Sequence, residues 1–197
     1  MTPGIALRQV REDDRWLLWG WRNSQRIRRV STNGDEISRD THQKWFATNF
    51  PRMRDATIIV QWNDVAVGWF QIESWDDVAR TGEWGVGMGV VPATPGLGGT
   101  LPLLALGHAF ERLDATMMTG RVLGLNDNML AIMNRLRIAS EPPVAEPRVR
   151  ADGSTTTTVR YRVPAEDWAP VRENGLALFP TALRASVVAA LASEVAS

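Results

Sequence analysis

Cysteine does not occur in the 197 residues, which excludes disulfides, thiolate metal sites and a cysteine nucleophile together. Lysine is almost missing too: Lys44 is the only one, so no lysine follows a glycine run, and transfer of a nucleotide γ-phosphate by a P-loop is not expected. The 22 basic residues are matched by 22 acidic ones, which removes the broad positive field that nucleic-acid binding needs. No apolar run reaches membrane-spanning length, and MTPGIALRQVRED lacks the apolar centre of a signal peptide. These shortages lead to the expectation of a cytoplasmic chain with one main domain, no nucleic-acid or membrane partner, and no metal.

What the chain does have is glycine, concentrated between Glu83 and Leu113 as EWGVGMGVV, PATPGLGGT and LPLLALGHAFERL. An apolar run gives way to two prolines and then to helical spacing, so the stretch reads as strand, glycine loop and helix. Gly96, Gly98 and Gly99 let backbone approach a ligand closely, and the amides of Leu97 to Thr100 cannot all find carbonyls at a helix start. With the positive end of the helix dipole, that arrangement suits a pyrophosphate. An ordinary glycine turn is the alternative. A dinucleotide-binding fold fits less well, because the loop follows several strands rather than the first.

In chain order, IALRQV alternates like a strand, and the acids from Glu12 to Asp14 suit the start of a helix carrying Trp16, Leu17 and Trp19, which stops near WRNS. Ser38 is the expected N-cap of a second helix that Pro51 ends. ATIIVQW and VAVGWFQIES form a hairpin about Asn63 and Asp64, and EWGVGMGVV returns as the next antiparallel strand. TMMTGRVLGL is a further strand. Asn126 can cap a helix in which Met129, Ile132, Met133 and Leu136 share a face. RVRADGSTTTTVRYRV shows two extended runs about a DGS turn. The class is mixed α/β with a largely antiparallel sheet flanked by helices.

This order, with PGLGGT opening a helix and the asparagine-led NDNMLAIMNRLRI, resembles the GCN5-related N-acetyltransferases over residues 5 to 168. The run LLWGWRNSQRIRRVSTNGDEISRDTHQKWF is similar to the amino-sugar acetyltransferases of that family, notably those acting on a UDP-linked 4-amino-4,6-dideoxy sugar, and DGSTTTTVRYRVPAEDW resembles their terminal hairpin. RimJ/RimL-type enzymes, which acetylate protein N-termini, share part of the pattern.

The resemblance implies acetyl-CoA as cosubstrate, its pyrophosphate on Gly96, Leu97, Gly98, Gly99 and Thr100, and its pantetheine arm along Met88, Val90 and Val91 with Asn126. It also implies direct attack of an amine on the thioester, with a backbone N–H of the strand ending at Met88 to Val91 meeting the oxyanion. His42 and Glu83 are the candidate bases, with Glu73 a weaker one; His42 is also a candidate sugar contact, and a surface helix residue is its plain alternative. Arg22, Asn23 and Arg28 lie where the acceptor pocket begins, and an arginine there suits the phosphate of a nucleotide sugar. Two departures stand out. No basic side chain precedes the glycines, and Met133 occupies the usual position of a tyrosine acid, with Arg137 where a glycine follows.

Residues 169–197 lie beyond the resemblance. Leu183, Val187, Leu191 and Val195 form one helical stripe, expected to pack on this domain or on a second copy in a homodimer. Three functions remain: acetylation of a small amine, most fittingly a nucleotide-linked amino sugar; acetylation of a protein N-terminus; or a degenerate module that binds CoA without turnover.

Overall fold

The computed structural model describes residues 4–31, 34–91, 94–141, 148–149, 153 and 155–196. β1 (Ile5–Gln9) leads through a 3-10 turn at Glu12–Asp14 into α1 (Arg15–Asn23), α2 (Gln25–Arg29) and α3 (Arg39–Ala56). Then come β2 (Thr57–Trp62), β3 (Val65–Asp76), β4 (Thr81–Met88), α4 (Leu97–Arg112), β5 (Met117–Leu123) and α5 (Asp127–Leu136). The chain closes with β6 (Arg148–Val149), β7 (Thr155–Thr156), β8 (Thr158–Pro164), α6 (Ala165–Ala177) and α7 (Thr181–Ala192).

The main sheet runs β1-β2-β3-β4-β5-β8 and is antiparallel except where β4 and β5 lie parallel. That exception follows from connection length: β2 and β3 are joined by Asn63 and Asp64, both at positive φ as the hairpin turn demands, whereas β4 reaches β5 only through α4. Between Leu97 and Ala109 α4 carries no acid and no arginine, and Leu101, Leu103, Leu104 and Leu106 are at most 2% exposed. It is therefore the central helix, packed between the sheet and α6 and α7. A second, smaller core of Leu18, Trp21, Phe46 and Trp69 joins α1 and α3 to the sheet's other face.

Several expectations need correction. α3 does not stop at Pro51 but continues to Ala56, because Phe50 and Met53 pack onto the second core and offset the bond lost at proline. A five-residue helix, α2, follows α1, started by Ser24, whose side chain accepts from the Ile27 amide. Gly98 and Gly99 belong to the first turn of α4, since Gly96 alone takes the left-handed conformation (φ 86°) that turns the chain. The second run of the terminal hairpin divides: β7 pairs with β6, while β8 joins the main sheet beside β5. Of the DGS turn, Asp152 and Ser154 fall outside the described residues. The tail packs on this chain, with Leu183, Val187 and Leu191 in the main core and Ile5 N–H donating to Ser186 Oγ at 2.6 Å.

Candidate functional site

β4 and β5 part company. Their register ends at Trp84 with Gly120, so Gly85 to Met88 and Arg121 to Leu123 diverge as the arms of a V. Gly89 N–H bonds to Val67 of β3, and by the two-residue period Gly87 and Gly85 face β3 as well, leaving the amides of Val86 and Met88 toward the open V. Of the strand end from Met88 to Val91, where an oxyanion donor was expected, the Gly89 amide is thus engaged. Val90 N–H is also spent on Val67, and the donors on offer are Val86, which the sequence did not single out, and Met88.

A cavity of about 400 Å³ fills the V, bounded by Gly85 and Gly87, by Arg121 and by Asn126. Asn126 caps α5 through Oδ1, accepting from Met129 at 3.2 Å, and its amide N–H groups have no acceptor among the described residues. Trp84 Nε1 and Thr158 Oγ1 border the same space without a hydrogen-bond partner among the described residues. A second cavity, also about 400 Å³, opens toward α1 and α3 with His42, Trp45 and Glu73 in its wall. Arg22, Trp69 and Gln71 line both.

The Arg22 guanidinium makes no hydrogen bond or ion pair among the described residues. Desolvation lowers its pKa, opposed by the charge of Glu73. His42 is 2% exposed and held among Trp16, Trp45 and Phe46. Its Nε2 donates to Arg15 O at 2.8 Å, which leaves Nδ1 as the lone-pair nitrogen, and burial brings its pKa below the usual 6.5, with the neighbouring Arg22 and Arg15 charges acting the same way. Glu83 is not in either wall; its Oε1 accepts from Arg121 Nε at 2.7 Å. Asn23 clamps the backbone of Ile37 with both ends of its amide, and Arg28 donates to Gly34 O at 2.8 Å, so neither reaches the cavities. Met133 is fully buried, and Met129 is the α5 side chain that meets the V.

At the glycine turn, Leu97 N–H reaches Thr94 O at 3.3 Å and Gly99 N–H reaches Gly96 O at 2.9 Å, while Gly98 N–H has no acceptor among the described residues. The side chains of Leu97 and Thr100 are inward, Thr100 Oγ1 donating to Leu97 O. Phe179 and Leu183 of the tail back this turn, 3.5 Å and 3.4 Å from where β-carbons at Gly99 and Gly96 would stand. Arg26 of α2 donates to Val90 O and Met88 O at 2.8 and 2.5 Å, and Val91 is exposed. Among the described residues no cluster of His, Asp and Glu could hold a metal, and no helix is long and apolar enough to cross a membrane.

No protein-family model and no curated protein matches the chain. Solved structures do. Spermidine N-acetyltransferase from Vibrio cholerae in complex with CoA and spermine superposes with a TM-score of 0.72 at 16% identity, covering 84% of this chain and 98% of that one. An N-acetyltransferase from Staphylococcus aureus Mu50 gives 0.62 at 10% identity over 82% and 98%, and a Salmonella typhimurium protein solved with its cofactor acetyl-CoA gives 0.61 at 15% over 82% and 94%. The fold is that of the GCN5-related N-acetyltransferases.

Proposed function

We propose that the protein is an acetyl-CoA-dependent N-acetyltransferase acting on a small primary amine, most fittingly that of a nucleotide-linked amino sugar. The observation that carries this reading is the V between β4 and β5, whose cavity shares the wall of Arg22, Trp69 and Gln71 with a second cavity. The thioester enters along the V. Its diphosphate lies at the turn before α4, where the Gly98 amide is unspent. Asn126 and the Val86 and Met88 amides face the arm and the carbonyl oxygen.

The amine arrives from the second cavity and attacks the carbonyl carbon; the C–N bond forms, the C–S bond breaks and the thiolate departs. His42 is the favoured proton acceptor, because its Nδ1 is unprotonated and its lowered pKa keeps the ring neutral at pH 7. Glu83, tied to Arg121, has one oxygen already engaged. Arg22 and Glu73 both line the second cavity, so an acceptor entering there meets one charge of each sign, and the Arg22 guanidinium is the group suited to a phosphate of a nucleotide-linked amine. Trp45, 48% exposed in the second cavity, offers a face for a base or sugar ring.

Released thiol is the assay, with acetyl-CoA and a panel of a UDP-linked 4-amino-4,6-dideoxy sugar, glucosamine, spermidine and short peptides with free N-termini. Turnover of the nucleotide sugar is expected, and preference for the peptides moves the protein to the RimJ/RimL-like reading. The burial of Met133, which leaves no acid at that position, favours one further reading: tight CoA binding by calorimetry with no turnover marks a binding module.

A further inference from the structure

Gln71 of β3 lies directly opposite Gly85 of β4. Gly85 has no side chain, so the carboxamide lies across β4: a β-carbon there would come within 3.3 Å of Nε2 and 3.4 Å of Cγ. Gly85 is also the first β4 residue beyond the last pair with β5, which sets the carboxamide over the closed end of the V, in the wall common to both cavities. Its orientation is chemically determined. Nε2 donates to Glu73 Oε1 at 2.7 Å, and a carboxylate only accepts, so a flipped amide would oppose two oxygens. Oε1 is left with no partner among the described residues.

We propose that Gln71 Oε1 accepts an N–H of the bound amine and aims the nitrogen lone pair at the thioester carbonyl, and that Glu73 is the positioning residue that holds the amide in that sense. The proposal rests on the acyl-transfer reading above. In the step nitrogen gives its electron pair to the carbonyl carbon, sulfur leaves with the C–S pair, and the proton lost by nitrogen equals the one gained by the CoA thiolate. Gln71 takes no proton. An amide suits this place: a carboxylate at 71 would add a second negative charge to that of Glu73, raise the amine's pKa and hold it as unreactive ammonium, whereas a neutral oxygen leaves more of it free to attack.

The test compares the full-length wild type with Q71A, Q71E and E73Q, using acetyl-CoA and whichever amine of the panel above the wild type acetylates. Q71A is expected to lower kcat/KM for the amine roughly 10- to 100-fold, leaving acetyl-CoA affinity and Tm unchanged. E73Q falls between, since the freed amide samples both orientations, and Q71E shifts the acid limb of the pH profile upward. Q71A retaining full aminolysis overturns the proposal, and so does a parallel fall in Tm and coenzyme affinity, which marks a structural role. Failure of the wild type to bind acetyl-CoA or acetylate any amine defeats the acyl-transfer reading itself and is distinguished by calorimetry on the unmodified chain.

Discussion

Trp21 of α1 and Trp69 of β3 stack with centroids 5.6 Å apart and planes 10° from parallel. The rings lie flat on β4 because nothing rises from that strand beneath them: a β-carbon at Gly89 would stand 2.1 Å from Trp21, and one at Gly87 2.2 Å from Trp69. Alternating glycines thus let α1 settle close to the sheet, and this seats Arg22 in the wall between the cavities.

Gly87→Ala forces the buried Trp69 ring to move, and overpacking of this kind costs about 1–3 kcal/mol. Gly20→Ala is the control, in the interior of α1 with nothing within 4 Å of its β-carbon; it is expected to gain about 0.5–1 kcal/mol. Urea denaturation of the two variants checks both signs.

Arg137 ends α5 in the left-handed conformation, at φ 59°, with its side chain exposed. Glycine pays no β-carbon penalty there, though it adds freedom to the unfolded chain. Arg137→Gly should raise stability by about 0.5–1 kcal/mol, read as a higher Tm. A lower Tm would show that the side chain holds the turn.

His108 sits in α4 against Phe70, with Nδ1 buried and unpartnered among the described residues, and burial pushes its pKa down to about 4, helped by Arg112. The folded state therefore takes up its proton later than the unfolded chain does. Stability from this group is full above pH 6.5 and is lost as pH falls from 6.5 to about 4, by up to about 3 kcal/mol. His108→Leu should flatten that part of the stability–pH curve, measured by denaturation between pH 4.5 and 7.

If His42 accepts the amine's proton, kcat/KM rises with pH through an acid limb centred below 6.5. His42→Phe keeps a ring among Trp16, Trp45 and Phe46 but no lone pair. It should lose roughly 10²- to 10⁴-fold in rate, and the limb with it. An unaltered limb in the variant would assign the proton to another group.

Local chemistry was legible in the residues. The Asn63–Asp64 turn, the Ser38 and Asn126 caps, the glycine turn before a helix and the period of the strands each involve neighbours a few positions apart, so composition and spacing suffice. Resemblance in the order of these pieces then led to the fold. Pro51 misled because its cost is local while the burial of Phe50 and Met53 is not. Asn23 and Arg28, read as acceptor contacts, turned out to hold the backbone at Ile37 and Gly34, partners that no spacing rule connects to them.

The sequence by itself determined a mixed sheet with a glycine turn before a buried helix, since those follow from backbone freedom and side-chain period. Only the tertiary structure decided where the V opens, that Gln71 crosses Gly85, and that Arg22 stands between two cavities. Each of those depends on strand register and helix packing between residues tens of positions apart, where a shift of one residue would send every side chain to the opposite face.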